Sequence, residues 1–314
     1  MKKIQLNPLG VLLCFAGLTV ISLLLFGQLG VLIASLLDSG FSLSDVLTDP
    51  IDVELLKNHK SSLYIFQVIS TLGGFLVPGL VISYFVEGYS LKKFAHLAKA
   101  KPILLILSGT IIFYGALISI GLMHEINQLF PISDFWKSKE LQNIAQQKAL
   151  IEGQGISQLF TSLFVVALLP ALLEEFAFRG VTLQLLDRTF RNKHAAIITQ
   201  GILFGFMHFN MSQMLPIMGM GILFGYITYA TKSIWYSVLI HFLNNAIAVI
   251  ALFYADSYQW AKKMNADESL PYWQYALGVL ILGIGLYYFF KHISKNKLDE
   301  SQPIANHLNN MDYE

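Results

Sequence analysis

Charge is what this 314-residue chain has least of. Asp, Glu, Lys and Arg together make up 13% of it, about half the share of an average soluble domain. Too few charges are present to coat a water-soluble globule of this size. Disorder is excluded for the opposite reason, because 55% of the residues are hydrophobic and supply ample apolar surface to bury. A net charge of +1, with no basic stretch interleaved with aromatics, excludes a nucleic-acid surface. Cysteine is nearly absent. Cys14 stands alone, so no intramolecular disulfide can form. Val11-Leu12-Leu13-Cys14 departs from a lipoprotein processing site at Leu13, where a small residue is needed, and Cys14 is expected to be a buried apolar thiol. Also missing are a His-Glu-x-x-His helix, which excludes a standard zincin site, and a Gly-x-Ser-x-Gly turn for a nucleophilic serine. No internal repeat or low-complexity tract occurs.

Long apolar runs are what remains, and the mean hydropathy is +0.57. A membrane span needs about 20 predominantly apolar residues. Eight segments answer: 9–37, 63–86, 102–123, 156 to about 186, 195–208, 214–230, 234–254 and 272–292. The fold expected is an all-α polytopic membrane helix bundle. The first run is too long for the core of a signal peptide, and no small-residue cleavage site follows it, so it reads as a retained span. Placing both termini in the cytoplasm puts 13 of the 21 basic residues on inner segments and 7 on outer loops, with Arg179 inside the membrane. That bias favours N-in, C-in. The outer loops, about 38–62 and 124–155, are mixed or acidic. The first carries Asp38, Asp45, Asp49, Asp52 and Glu54 and reads as solvated. The last 20 or so residues read as a disordered cytoplasmic tail. Trp136, Trp235, Trp260 and Trp273 fall near span ends, as an interfacial belt requires. Gly221-x-x-x-Gly225, with Gly219, suggests close helix packing, internal rather than between copies.

Ionisable residues inside spans are costly and mark function by default. Three clusters qualify. In Leu172-Leu173-Glu174-Glu175-Phe176-Ala177-Phe178-Arg179, residues four apart share a helix face. Glu175 and Arg179 therefore stack and neutralise each other, while Glu174 is left unpaired on its own helix. The second cluster, Phe204-Gly205-Phe206-Met207-His208, ends the fifth span. In the third, His241-Phe242-Leu243-Asn244-Asn245, the spacing projects His241 and Asn245 from one face. The nearby Phe176, Phe178, Phe206 and Phe242 read as core or lipid contacts, or as the wall of an apolar groove. Depth gives only a partial match. Counted from the cytoplasmic ends of their helices, Glu174 and His208 lie about 21 Å deep and His241 about 12 Å.

Together these groups suit amide hydrolysis without a covalent nucleophile. A carboxylate in a low-dielectric site can take a proton from water, with an imidazole sharing the task. A second histidine and an Asn amide can stabilise an oxyanion. Alternatively, Glu174, His208 and His241 form a two-histidine, one-carboxylate set that would suit a divalent metal such as zinc. Bland readings stand beside these, namely an ion pair bracing helices and satisfied core histidines.

Glu174-Glu175-x-x-x-Arg179, Phe204-x-x-x-His208 and His241-x-x-x-Asn245, in this order on separate spans, resemble the three signatures of the CPBP family, the CAAX proteases and bacteriocin-processing enzymes also called Abi. The resemblance covers about residues 156–250. It implies an integral-membrane endopeptidase whose site opens toward the cytoplasm. In that reading Glu174 and His208 activate water, His241 and Asn245 form the oxyanion hole, and Glu175 and Arg179 support the site. Family members are commonly labelled metalloproteases, whereas a metal-free glutamate mechanism, with no cofactor, fits the same residues. Residues 1–150 would then supply the first three spans and outer loops, 151–255 the catalytic core, and 256–314 the last span and tail. The partners expected are the lipid bilayer and a peptide or membrane-protein substrate, in a bacterial inner membrane. Two other readings use the same residues. One is a non-enzymatic immunity or scaffold protein. The other is a transporter or proton relay, against which the confinement of the cluster to three spans speaks.

Overall fold

The computed structural model describes residues 4–42, 57–86, 102–264 and 269–311. Among them regular structure is helical, apart from one isolated bridge between Ile4 and Val86. Helix α1 spans Pro8–Leu37 and α2 Lys60–Phe85. Then come α3 (Pro102–Asn127), α4 (Asp134–Ile151) and α5 (Ile156–Phe190). The chain continues through α6 (Lys193–Met207), α7 (Met214–Thr231), α8 (Trp235–Phe253), α9 (Gln259–Met264) and α10 (Tyr272–Met311). Seven of these are long and apolar enough to cross a membrane. The remaining expected span is α6, whose 15 residues rise only about 22 Å. The fold is thus an all-α polytopic membrane helix bundle. Leu13, Leu24, Leu25, Leu36 and Leu280 are all exposed on its outside, and an apolar surface of that extent belongs against lipid tails.

Local chemistry sets the helix ends. Asn7 accepts a hydrogen bond from the Gly10 amide, with Pro8 opening α1, and Asn192 caps α6 by accepting from His194 and Ala195. Arg191 and Lys232 turn left-handed to end α5 and α7. Two π-helical stretches interrupt α5, at Leu163–Leu168 and Phe176–Thr182, and the second begins one residue after Glu175. Such insertions re-aim the side chains that follow and are frequent at functional sites.

Helices α6 and α7 meet through glycine. A methyl group on Gly221 would lie 2.9 Å from the Cα of Gly201, and one on Gly225 would lie 3.0 Å from Ile197. The small-residue stripe therefore packs internally. Gly221→Ala is expected to force the two backbones apart at a cost of about 1–3 kcal/mol, read as a lowered thermal midpoint in detergent. An unchanged midpoint would mean that α6 and α7 are not locked at this point.

Several expectations need correction. The segment 124–155 holds α4, built from strong helix formers with Asp134 in its first turn and Lys148 in its last, both favourable to the helix dipole. Its C-terminal residues Ala149, Leu150 and Ile151 are buried, and Tyr64 donates to the Leu150 carbonyl at 2.5 Å. Trp136 lies on α4 rather than at a span end, and its ring stacks on Phe209. Asp38 is tied to His59 at 2.5 Å and accepts from Ser62. The His59 bond holds its carboxyl below the ordinary range, so α1 and α2 are strapped together there. Asp45, Asp49, Asp52 and Glu54 lie outside the described residues, as do the inner-segment Lys92, Lys93, Lys99 and Lys101. Cys14 is exposed rather than buried, because α1 sits at the periphery with little of its length covered. The expected tail continues α10 as helix to Met311, since extending a formed helix fixes few new dihedrals per bond gained.

Candidate active site

Three helices converge on one point. Glu174 comes from α5, just before its second π stretch. His208 caps the C-terminus of α6, and His241 lies early on α8. Glu174 Oε2 is 3.7 Å from His208 Nε2 and 4.0 Å from His241 Nε2. The apparent mismatch in depth disappears because α8 starts inside the bundle. Ser233 and Ile234, which lead into it, are buried, and Ser237 bonds Thr228 and the Phe224 carbonyl.

The hydrogen bonds fix both histidine tautomers. His208 Nδ1 lies 2.8 Å from the Phe204 carbonyl, and His241 Nδ1 lies 2.9 Å from Glu175 Oε1. A carbonyl or a carboxylate only accepts, so each Nδ1 carries a proton. In the neutral rings both Nε2 atoms are then acceptors facing Glu174. Oε2 of Glu174 is buried and has no hydrogen-bond partner among the described residues.

Beneath this group lies a buried ionic layer. Arg179 Nη1 donates to Glu175 Oε1 at 2.7 Å, at the spacing that places residues four apart on one face, and both side chains are fully buried. Arg179 Nη2 donates to the Gly221 carbonyl at 3.1 Å. The guanidinium sits 4.2 Å from the centre of the Phe204 ring and 5.1 Å from that of Phe224, close enough for cation–π attraction at both. Glu175 Oε1 therefore serves two donors, Arg179 and His241. This arrangement orients His241 from behind, as a carboxylate orients a functional histidine elsewhere.

Asn245 is half-buried one turn beyond His241. Its Oδ1 accepts from Asn244 at 3.4 Å, and no described bond joins it to Glu174 or to either histidine. Phe176 and Phe178 are core residues, whereas Phe206 is exposed. Sequence reasoning missed the Glu175–His241 bond and Phe224. Spacing reports contacts along one helix, and both of these join different helices.

Tetrahedral zinc holds its ligand atoms roughly 3.3 Å apart, and the two pairs here are wider. Among the described residues no three His, Cys, Asp or Glu side chains are placed to hold a metal ion. The residues do not fit a metal as they stand.

Residues 156–247 match the family described as type II CAAX prenyl endopeptidase Rce1-like, in agreement with the CAAX-protease resemblance of the three motifs. The matched segment runs from the start of α5 into α8 and contains Glu174, Glu175, Arg179, His208, His241 and Asn245. No curated protein and no solved structure matches the chain. At family level the match supports an intramembrane peptidase of the CAAX type. With the seven long apolar helices it also supports an integral multi-pass membrane protein in contact with lipid and acting on peptides.

Proposed function

We propose that this protein is an endopeptidase of a bacterial cytoplasmic membrane that hydrolyses a peptide bond of a membrane-associated substrate, with Glu174 as the base that activates water. The supporting observation is the convergence of Glu174 Oε2 with two histidine Nε2 atoms at 3.7 and 4.0 Å. Those separations are too long for direct hydrogen bonds and suit a bridging water. The water gives one hydrogen to Glu174 and the other to His208, leaving a lone pair for the substrate carbonyl. As oxygen attacks the carbonyl carbon, Glu174 takes its proton and the carbonyl oxygen becomes an oxyanion. Collapse breaks the C–N bond, and the departing amine takes that proton.

Oxyanion stabilisation by His241 requires a hydrogen on Nε2. Because Nδ1 already donates to Glu175, this role belongs to the doubly protonated ring. Asn245, one turn on, supplies a second donor through Nδ2, its Oδ1 being held by Asn244. Glu175 and Arg179 are positioning residues in this scheme.

The test is cleavage of a fluorogenic peptide library by the detergent-purified full chain, with and without a chelator. Turnover that is indifferent to chelator is expected. Loss with chelator and recovery with zinc would replace the metal-free scheme with a metal-dependent one. No cleavage of any library member would favour a non-enzymatic immunity or scaffold role.

A further inference from the structure

We infer that Asn127 of α3 is a positioning residue for the reaction: its buried side-chain amide clamps the turn after His208 and so keeps that ring within reach of Glu174. This rests on the reading of Glu174 and His208 as the pair that activates water. It adds a part from outside residues 156–247, the segment that the family match covers. His208 occupies a helix end. It is the capping residue of α6, and its amide donates to the Gly205 carbonyl at 3.3 Å. Within α6 its ring is held from one turn back, by the Phe204 carbonyl at Nδ1 and by the Phe204 ring, with centroids 4.7 Å apart. Helix ends fray, so the place of Nε2 depends on what holds the chain beyond residue 208.

That chain does not hold itself. Phe209 has φ of 47°, a left-handed backbone uncommon for an aromatic residue, and such a conformation persists only where the surroundings impose it. The surroundings come from α3 and α4. Asn127 Nδ2 donates to the Met211 carbonyl at 2.8 Å, and its Oδ1 accepts from the Leu215 amide at 2.9 Å. One side chain therefore bridges both ends of segment 211–215, and it does so at 2% exposure, where water does not compete for its bonds. The task needs a donor and an acceptor on one planar group, which a carboxamide has and an aliphatic or carboxylate side chain lacks. Two further ties come from α4. Ser212 donates to Glu140, and the Phe209 ring stacks on Trp136 with planes 19° from parallel. Ser212, Glu140 and Trp136 are only half-buried, so Asn127 is the tie least open to solvent.

No described bond joins Asn127 to Glu174, His208 or His241, so its influence passes through the turn. With the clamp gone, Phe209 can relax to an ordinary negative φ. That rotates the chain at the end of α6 and carries the His208 ring with it. His208 Nε2 stands 3.7 Å from Glu174 Oε2, and a water bonded to both tolerates little change in that separation. A displacement of about 1 Å can cost on the order of 10²-fold in rate. His241 should stay in place, because it is held on α8 by Glu175.

The test uses the detergent-purified full chain with isotope-labelled histidine, as wild type and as Asn127→Leu, which nearly keeps the volume and removes both bonds. Nitrogen NMR reads the His208 ring, assigned by its disappearance in His208→Gln. The wild-type ring is expected to carry its neutral-state proton on Nδ1, as the Phe204 carbonyl requires. In Asn127→Leu the His208 nitrogens should report a mixture of tautomers, while those of His241 stay as in wild type. Well below the thermal midpoint, kcat should fall on the order of 10²-fold with KM unchanged, the split expected when a group acting in the transition state is misplaced. A merely structural role would lower the midpoint and leave both the His208 nitrogens and kcat where they were, and that result would overturn the proposal. Should Asn127→Leu fail to fold, Asn127→Ser, too short to reach both partners, is judged by the same signals. The NMR reading needs no turnover. An inactive wild type would therefore sink the peptidase reading alone, and unchanged His208 nitrogens in a folded variant would sink the clamp alone.

Discussion

Glu174→Gln is expected to lower peptide turnover by a factor on the order of 10²–10⁴, the range for removing a positioned general base. The thermal midpoint in detergent should hardly move. Gln keeps the shape of Glu and loses only the ability to take a proton. The folded state sacrifices little, because Glu174 Oε2 has no hydrogen-bond partner among the described residues and its distances to the two histidines exceed bonding range. A large loss of turnover with an intact fold is the signature of a group that acts on the reaction rather than on the bundle. Glu175→Gln makes the contrast. It strikes a carboxylate that serves both Arg179 and His241, so it should cost stability as well as rate. Near-wild-type turnover in Glu174→Gln would remove Glu174 from the mechanism and leave the convergence of the three helices as bracing.

The residues of this site were legible in the sequence because the membrane makes charge conspicuous. Glu174, Glu175, Arg179, His208 and His241 stand out against apolar neighbours, and intrahelical spacing was enough to pair Glu175 with Arg179. Their relative depth was not legible. Counting from helix ends set His241 well apart from Glu174, since the count assumed that every span begins at the membrane surface, whereas α8 begins inside the bundle behind buried Ser233 and Ile234. The π-helical stretches of α5 were invisible for a related reason. They depend on what packs against the helix and leave no mark on hydropathy. Helix α4 was overlooked because a polar helix has no apolar stripe to reveal it, although its Lys, Glu, Gln and Ala content carried the propensity signal. Cross-helix partners such as Phe224 on Arg179 come only from the packing of α5 against α7.

That packing has its largest energetic consequence at Arg179. Arg179→Met is expected to destabilise the protein by about 3–5 kcal/mol, the cost of stranding one partner of a buried ion pair. The substitution leaves Glu175, which is fully buried, with His241 as its remaining described partner. It also frees the Gly221 carbonyl and removes the cation from between two aromatic rings. Thermal unfolding in detergent reads the loss. Adding Glu175→Gln to Arg179→Met removes the stranded charge, so the double variant should recover much of the stability, because replacing a whole buried pair is far cheaper than breaking it. Recovered stability need not bring recovered turnover, since His241 would then face an amide instead of the carboxylate that orients it. A cost for Arg179→Met below about 1 kcal/mol, the scale of an exposed pair, would mean that water reaches the ionic layer.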